Sequence, residues 1–253
     1  MIGIRALAIC QGFAGNGKGK PMASLSDAQI ATLMGNPWFA GLAPAIRGDA
    51  IARGQVRSMA QGERLFSRGD AGHAVYAVLQ GSVRISGTSR DGREAVLTFY
   101  EPGAWFGEIS LLDGQPRTHD GCAYTASRLL VIVQADFEAL LDAHPALARE
   151  LLRLECSRLR AVLVALEAHA TQSLEQRFAS RLLALAQAYG SPTPRGLSIE
   201  LHLSQEILAQ LTGVTRQRVN QLLKVWENDG LIEQGYGRVV LVDRVRLERL
   251  AAG

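Results

Sequence analysis

Cysteine is scarce in this chain, and its three cysteines stand far apart. Cys10, Cys122 and Cys156 form no close pair of the kind that zinc or iron–sulfur ligation uses, so no metal is expected and the thiols read as reduced and unliganded. No apolar run reaches the roughly 18 residues that a membrane-spanning helix needs, and no membrane partner is expected. The opening residues hold Arg5 and a short apolar stretch, but Gly12, Gly15, Asn16, Gly17 and Gly19 interrupt it too early for a signal-peptide core. A cytoplasmic location follows as the expectation. Histidine is also sparse, with five scattered along the chain, and no metal-ligand set or nucleophile–base grouping can be assembled from them, which argues against an enzyme. Acidic side chains are missing from residues 1–22, where Arg5, Lys18 and Lys20 account formally for the whole net charge of +3. Global charge is therefore a weak argument for a nucleic-acid partner, and the local arrangement of charge must decide.

What is present suffices for two modest hydrophobic cores: 253 residues, 47% of them hydrophobic. From about Gly62 to Val133 short apolar runs are broken by glycine, as in AVYAVLQG, SVRISGTS and WFGEISLLDG, which predicts an antiparallel all-β domain forming a compact roll or barrel. Gly81 fits a turn, and Asp91-Gly92 marks a hairpin because both residue types tolerate positive φ. After Asp136 the period becomes helical, and a long helix from Pro145 to about His169 carries Leu147, Leu151, Leu154, Leu159, Val162 and Leu166. Its stripe fits two chains packed helix on helix, with an ordinary helix covering its own β domain as the alternative. A further helix over Ser173 to Tyr189 is followed by GSPTPRG, which reads as a loop. The expected division is a flexible leader over 1–24, a β-roll with flanking helices over 25–143, a dimerisation helix over 144–170 and a helix-turn-helix domain over 171–253. Within the leader, Met22 is a second candidate start, since Ser26 behind it can cap a helix.

Two constellations carry chemistry. The first runs from Gly107 through Glu108, Ile109 and Ser110 to Arg117 and Thr118. Glycine at 107 permits close approach of backbone to a ligand, the amides of a turn can face an anion, Arg117 can grip a phosphate with two prongs, and Glu108 can accept from sugar hydroxyls. On composition alone a plain Glu108–Arg117 salt bridge is the competing reading.

The second runs from Leu203 to Lys224 and reads as helix, tight turn at Gly213, helix, with Ser204 and Thr215 as caps. Val219, Leu222, Leu223 and Trp226 recur at helical spacing and face inward, leaving Arg216, Gln217, Asn220, Gln221 and Lys224 outside. No acid falls between Gly213 and Lys224, while Arg216, Arg218 and Lys224 supply positive charge for a groove of double-stranded DNA; a merely solvated helix is the alternative. Gly235, Gly237 and the run Arg238 to Val242 then suggest a two-stranded wing.

GEISLLDGQPRT resembles the phosphate-binding cassette of the cyclic nucleotide-binding domain, and the Thr215–Lys224 helix with its wing resembles the winged domain of the cyclic AMP receptor and FNR superfamily of bacterial transcription regulators. The likeness runs from about Asn36 to Leu250. It implies an α+β chain of antiparallel β-roll, long dimerisation helix and winged helix-turn-helix, working as a homodimer on double-stranded DNA with RNA polymerase as a partner. By the same likeness a cyclic mononucleotide, cAMP or cGMP, is the effector. Glu108 would take the ribose 2′-hydroxyl, Arg117 the cyclic phosphate, Thr118 a phosphate oxygen or a guanine edge, and the backbone at Gly107, Ile109 and Ser110 would complete the pocket. The sequence departs from the pattern in places. Val162 and Leu163 fall where the cyclic AMP receptor branch has a Thr-Ser pair meeting adenine, and neither side chain can hydrogen-bond. His119 stands where a small residue is common, Thr215 replaces the usual serine, and Gln217 and Gln221 replace glutamate and a second arginine. Only Cys10 lies where oxygen-sensing relatives carry a cysteine cluster. Three other readings stay open: a regulator of this fold that binds DNA constitutively or answers another signal, a nucleotide hydrolase using Glu108 or His119, and a protein-interaction module.

Overall fold

The computed structural model describes residues 25–235 and 237–253. The expected leader over 1–24, with Cys10, lies outside the described residues. Three short helices come first: α1 (Asp27–Met34), α2 (Pro37–Gly41) and α3 (Pro44–Arg53). Their starts are local: Ser26 and Gln29 form a reciprocal capping box, Asn36 accepts from the amides of Trp38 and Phe39, and Pro37 and Pro44 sit in first-turn positions.

The roll consists of β1 (Gln55–Met59), β2 (Arg64–Phe66), β3 (Ala74–Gln80), β4 (Val83–Thr88), β5 (Glu94–Tyr100), β6 (Trp105–Phe106), then one helical turn α4 (Ile109–Leu112), β7 (Asp120–Ala123) and β8 (Ser127–Val133). They form two antiparallel sheets ordered β1-β8-β3-β6 and β2-β7-β4-β5. Strand β3 reads AVYAVLQ, an unbroken apolar run, because both of its faces are covered. Ala74, Tyr76 and Val78 join Met59, Phe106 and Leu129 inside the roll, while Val75, Ala77 and Leu79 join Leu33, Phe39 and Ile46 of the helices outside it. The β4–β5 turn closes at Gly92, whose φ of +82° suits glycine.

Helix α5 (Gln134–Ala143) and the long α6 (Pro145–Thr171) follow. Pro145 occupies the first turn of α6, where its missing amide costs no bond. Leu147 and Leu151 are buried against the roll and its helices, but Leu152, Leu159, Val162, Leu163, Val164 and Leu166 farther along are between 55% and 66% exposed. The last part comprises α7 (Leu174–Tyr189), β9 (Gly190–Thr193), β10 (Gly196–Ile199), α8 (Gln205–Thr212), α9 (Arg216–Asn228), β11 (Ile232–Gly235), β12 (Arg238–Leu241) and α10 (Arg244–Ala252).

Two details differ from the sequence expectation. The GSPTPRG segment is a hairpin of β9 and β10, and the wing is accordingly a four-stranded sheet ordered β11-β12-β10-β9. Glycine and proline hid the strand, yet Pro192 is tolerated because β9 is an edge strand. The second difference is that the helix-turn-helix part shares a core with the roll. Val96 and Phe99 of β5 pack in one cluster with Phe178, Leu182, Leu208 and Trp226. Polar contacts flank it: Arg181 donates to the Leu97 carbonyl at 2.7 Å, Gln210 to Glu94 at 3.3 Å, Ser82 and Tyr189 share a hydrogen bond of 3.1 Å, and the Tyr124 hydroxyl donates to the His202 carbonyl. The outer strand of the second sheet is thereby covered rather than left as an open edge. Burial of Tyr189 in this seam pushes its hydroxyl up to about 12.

Candidate functional site

The first site grows from the turn after β6. Gly107 has φ +94°, and a Cβ there would come to 2.9 Å from the Tyr76 ring and 3.2 Å from Arg117 Nη1, so only glycine fits. The turn delivers Glu108 and Ser110, both buried, to the inside, while Ile109 is 49% exposed. The amides that open α4 have no carbonyl four residues back to bond.

Arg117 lies beneath this turn, its main chain pinned by bonds from its own amide to the Asp70 carbonyl (2.7 Å) and from the Gly69 amide to its own carbonyl (2.8 Å). Its Nη1 donates to the Gly107 carbonyl at 2.6 Å and Nη2 to the Ala74 carbonyl at 2.8 Å, with the guanidinium carbon 4.7 Å from the centre of the Phe66 ring. The residue is 6% exposed and Nε has no hydrogen-bond partner among the described residues. The salt bridge to Glu108 that composition favoured does not form. Glu108 binds Arg158 of α6 instead, with Nη1 to Oε1 at 2.5 Å, and Arg158 also holds Glu155 at 2.9 Å and the Trp105 carbonyl. Burial pushes the Glu108 carboxyl up against the opposing pull of Arg158. Burial also works against the Arg158 cation, but Glu108, Tyr100 and Glu155 outweigh it and keep the guanidinium charged. Arg117 is thus a buried cation facing carbonyls and ring faces, an environment that an anionic ligand would complete.

Thr118 is exposed and its hydroxyl is 2.9 Å from His119 Nδ1. Val162 and Leu163 are 61% and 55% exposed on α6, outside the buried group of Glu108, Ser110 and Arg117.

The second site is the α8–α9 pair. Ser204 caps α8 by accepting from the Ile207 amide, Gly213 turns the chain in the left-handed region at φ +69°, and Thr215 caps α9 by accepting from the Arg218 amide at 3.3 Å. Val219, Leu222, Leu223 and Trp226 are buried, which aims Thr215, Arg216, Gln217, Arg218, Gln221 and Lys224 at solvent. Two predicted readers are partly engaged: Arg218 pairs with Glu175 of α7 at 3.3 Å, and Asn220, half-buried, accepts from Gln205 at 3.3 Å. Arg216, Gln217, Gln221 and Lys224 have no side-chain partner among the described residues.

Residues 56–144 match the cyclic nucleotide-binding domain, and residues 176–250 match the Crp-like helix-turn-helix domain. A cyclic AMP receptor protein of Thermus thermophilus is 33% identical over 221 residues, covering 87% of this chain and 99% of that protein. The chain belongs to the CRP/FNR family of bacterial transcriptional regulators. A CRP-like cAMP-activated global transcriptional regulator of Mycobacterium tuberculosis is 30% identical over 213 residues, 84% of this chain and 95% of that one. Among solved structures, a CRP/FNR-family transcriptional regulator of Thermus thermophilus superposes with a TM-score of 0.68 at 27% identity, covering 79% of this chain and 99% of its own.

Membership in the CRP/FNR family makes this chain a DNA-binding regulator rather than an enzyme. It carries a cyclic-nucleotide-binding-type domain and a helix-turn-helix, and no helix among the described residues is long and apolar enough to cross a membrane. Sequence reasoning missed Arg158. The i, i+3 spacing of Glu155 and Arg158 was visible, but it is common on solvent-facing helices and gave no sign that the guanidinium reaches Glu108.

Proposed function

We propose that this regulator is controlled by a cyclic purine mononucleotide, cAMP or cGMP, bound over Arg117. The observation that carries the reading is the Arg117 guanidinium, buried without a carboxylate partner and with Nε unpaired. A cyclic phosphodiester supplies one negative charge, and a partly desolvated guanidinium binds it directionally. Glu108 is the acceptor suited to a ribose hydroxyl, and Gly107, Ile109, Ser110 and Thr118 form the rest of the wall. The printed names of the Thermus thermophilus and Mycobacterium tuberculosis relatives, a cyclic AMP receptor and a cAMP-activated regulator, support the same ligand class.

Glu108 also supplies a route of control. A sugar hydroxyl that competes for the Glu108 carboxylate alters the contact that ties Arg158, and with it α6, to the roll. The ligand shifts the arrangement of the DNA-binding parts only as far as it binds one arrangement more tightly.

The partner chain is a second copy. Leu152, Cys156, Leu159, Leu163, Leu166 and Ala170 are all exposed and recur in alternating steps of four and three, the spacing of a two-helix seam. On this register Leu163 lies in the seam and Val162 beside it. Two recognition helices would then read DNA half-sites about 34 Å apart through Thr215, Arg216, Gln217, Arg218, Asn220, Gln221 and Lys224. RNA polymerase as a partner and a cytoplasmic location follow from the same reading.

The apolar character and exposure of Val162 and Leu163 favour a second reading, in which the pocket is retained but DNA is bound without a nucleotide signal. Calorimetric titration of nucleotide-free protein with cAMP, cGMP and cyclic di-GMP, followed by DNA binding with and without the tightest ligand, separates the two. Binding of a cyclic mononucleotide that changes DNA affinity is the expected result; absence of any binding overturns the effector reading.

A further inference from the structure

His119 stands directly after the cassette, and its ring lies over Gly87 of β4 with Nδ1 beside the Thr118 hydroxyl. The lack of a side chain at Gly87 of β4 makes room for it, since a Cβ there would lie 3.1 Å from His119 Cδ2, and the Leu97 side chain of β5 approaches the same point at 4.0 Å. Asp120, the first residue of β7, adjoins it. Burial, and then the charge of Arg68, lower the imidazole below its ordinary value against the pull of Asp120, which favours the neutral ring. A neutral imidazole has one donor and one acceptor nitrogen. The two groups are 2.9 Å apart, and with the proton on Nε2, the intrinsically preferred tautomer, Nδ1 is free to accept the Thr118 hydroxyl proton.

We propose that His119 makes the pocket selective for a purine bearing a 2-amino group, that is for guanine, by engaging the single hydroxyl proton of Thr118. This rests on the effector reading above. A hydroxyl has one proton and two lone pairs, so once the proton is engaged, Thr118 presents only an acceptor. An acceptor is a poor partner for an anionic phosphate and a good one for an amine. Thr118 follows the phosphate anchor Arg117 directly, and a purine in the syn conformation folds its 2-position edge back toward the phosphate. Guanine carries an amine on that edge, whereas adenine and hypoxanthine do not. Val162 and Leu163, having no polar side-chain atoms, offer no competing readout of the base.

Cyclic GMP and cyclic IMP differ only in the 2-amino group, and titrating both into the full-length protein isolates it. The wild type is expected to bind cyclic GMP about tenfold more tightly, the upper range for one neutral hydrogen bond. His119→Ala frees the Thr118 proton for the phosphate, and the preference is expected to fall to about twofold or less. His119→Asn, whose Oδ1 offers an acceptor near the position of Nδ1, is expected to retain most of it, and Thr118→Val to lose it. A purely structural role for His119 would weaken both nucleotides equally and leave their ratio alone. Equal binding of the two nucleotides by the wild type, or a preference that survives His119→Ala, overturns this inference and leaves the effector reading standing. If the wild type binds neither of them nor cyclic AMP, both readings fall.

Discussion

The carboxylate of Glu108 and the guanidinium of Arg158 meet at 2.5 Å across 50 residues of sequence, one at the head of the turn that follows β6 and the other midway along α6. Glu108 is 3% exposed and Arg158 28%, so the pair is sheltered enough for its geometry to matter. It is the ionic tie between the roll and the stretch of α6 that leaves it.

Arg158→Ala leaves Glu108 buried without its cation, and a loss of about 2–3 kcal/mol in unfolding free energy is expected, limited because the carboxyl can take up a proton instead. The sign with pH follows. Burial already raises the folded-state value of Glu108, and removing Arg158 raises it further, so the folded variant binds the proton more readily than the unfolded chain. The unfolded-state value is common to both proteins and cancels, so the deficit against wild type should be smallest below the raised wild-type value, grow as pH rises from there to the still higher value of the variant, and stay full above it. Urea unfolding of both proteins across that range checks this, and a deficit independent of pH would contradict it.

Gly107→Ala forces a Cβ against Tyr76, the Ala74 carbonyl and Arg117 at a φ of +94°. A destabilisation of about 1–3 kcal/mol is expected, together with weakened nucleotide binding, because the turn cannot relax without moving Arg117. Paired unfolding and calorimetry measure the two effects; a variant indistinguishable from wild type in both would show that the turn is looser than its geometry.

Leu159→Asp places a charge in the proposed α6 seam and is expected to convert a dimer into a monomer at micromolar concentration in analytical ultracentrifugation. Ala161→Asp, on the opposite side of the same helix, serves as the control and should leave the dimer intact. If both variants remain dimeric, the contact between copies lies elsewhere.

Arg216→Ala should weaken binding to the cognate DNA site by about 1–3 kcal/mol, with a smaller effect on random sequence, if the side chain reads a base edge. Arg218→Ala should cost less, since its guanidinium is already shared with Glu175 at 3.3 Å. Equal losses on cognate and random DNA for Arg216 would assign it to a phosphate instead. Affinity for either DNA should fall steeply as salt rises, measured by fluorescence anisotropy.

Much of this architecture is local and could be read from the chain itself. Ser204, Gly213 and Thr215 set the ends of α8 and α9 because caps and left-handed turns depend on residues three or four positions apart, and the spacing of Val219, Leu222, Leu223 and Trp226 decides which face of α9 is free. Asp91-Gly92 marked its hairpin for the same reason. The β9 strand was hidden because Gly190 and Pro192 are poor strand formers, and only pairing with β10 at a sheet edge makes them one. The partners of charged groups were decided by tertiary structure alone. Composition paired Glu108 with Arg117; the fold instead draws in Arg158 from α6 and leaves Arg117 among carbonyls and aromatic rings. The packing of Val96 and Phe99 against α7 and α8 was equally invisible. An ion pair or a seam between elements depends on which groups the packed chain brings within a few ångströms, and sequence separation carries no information about that distance.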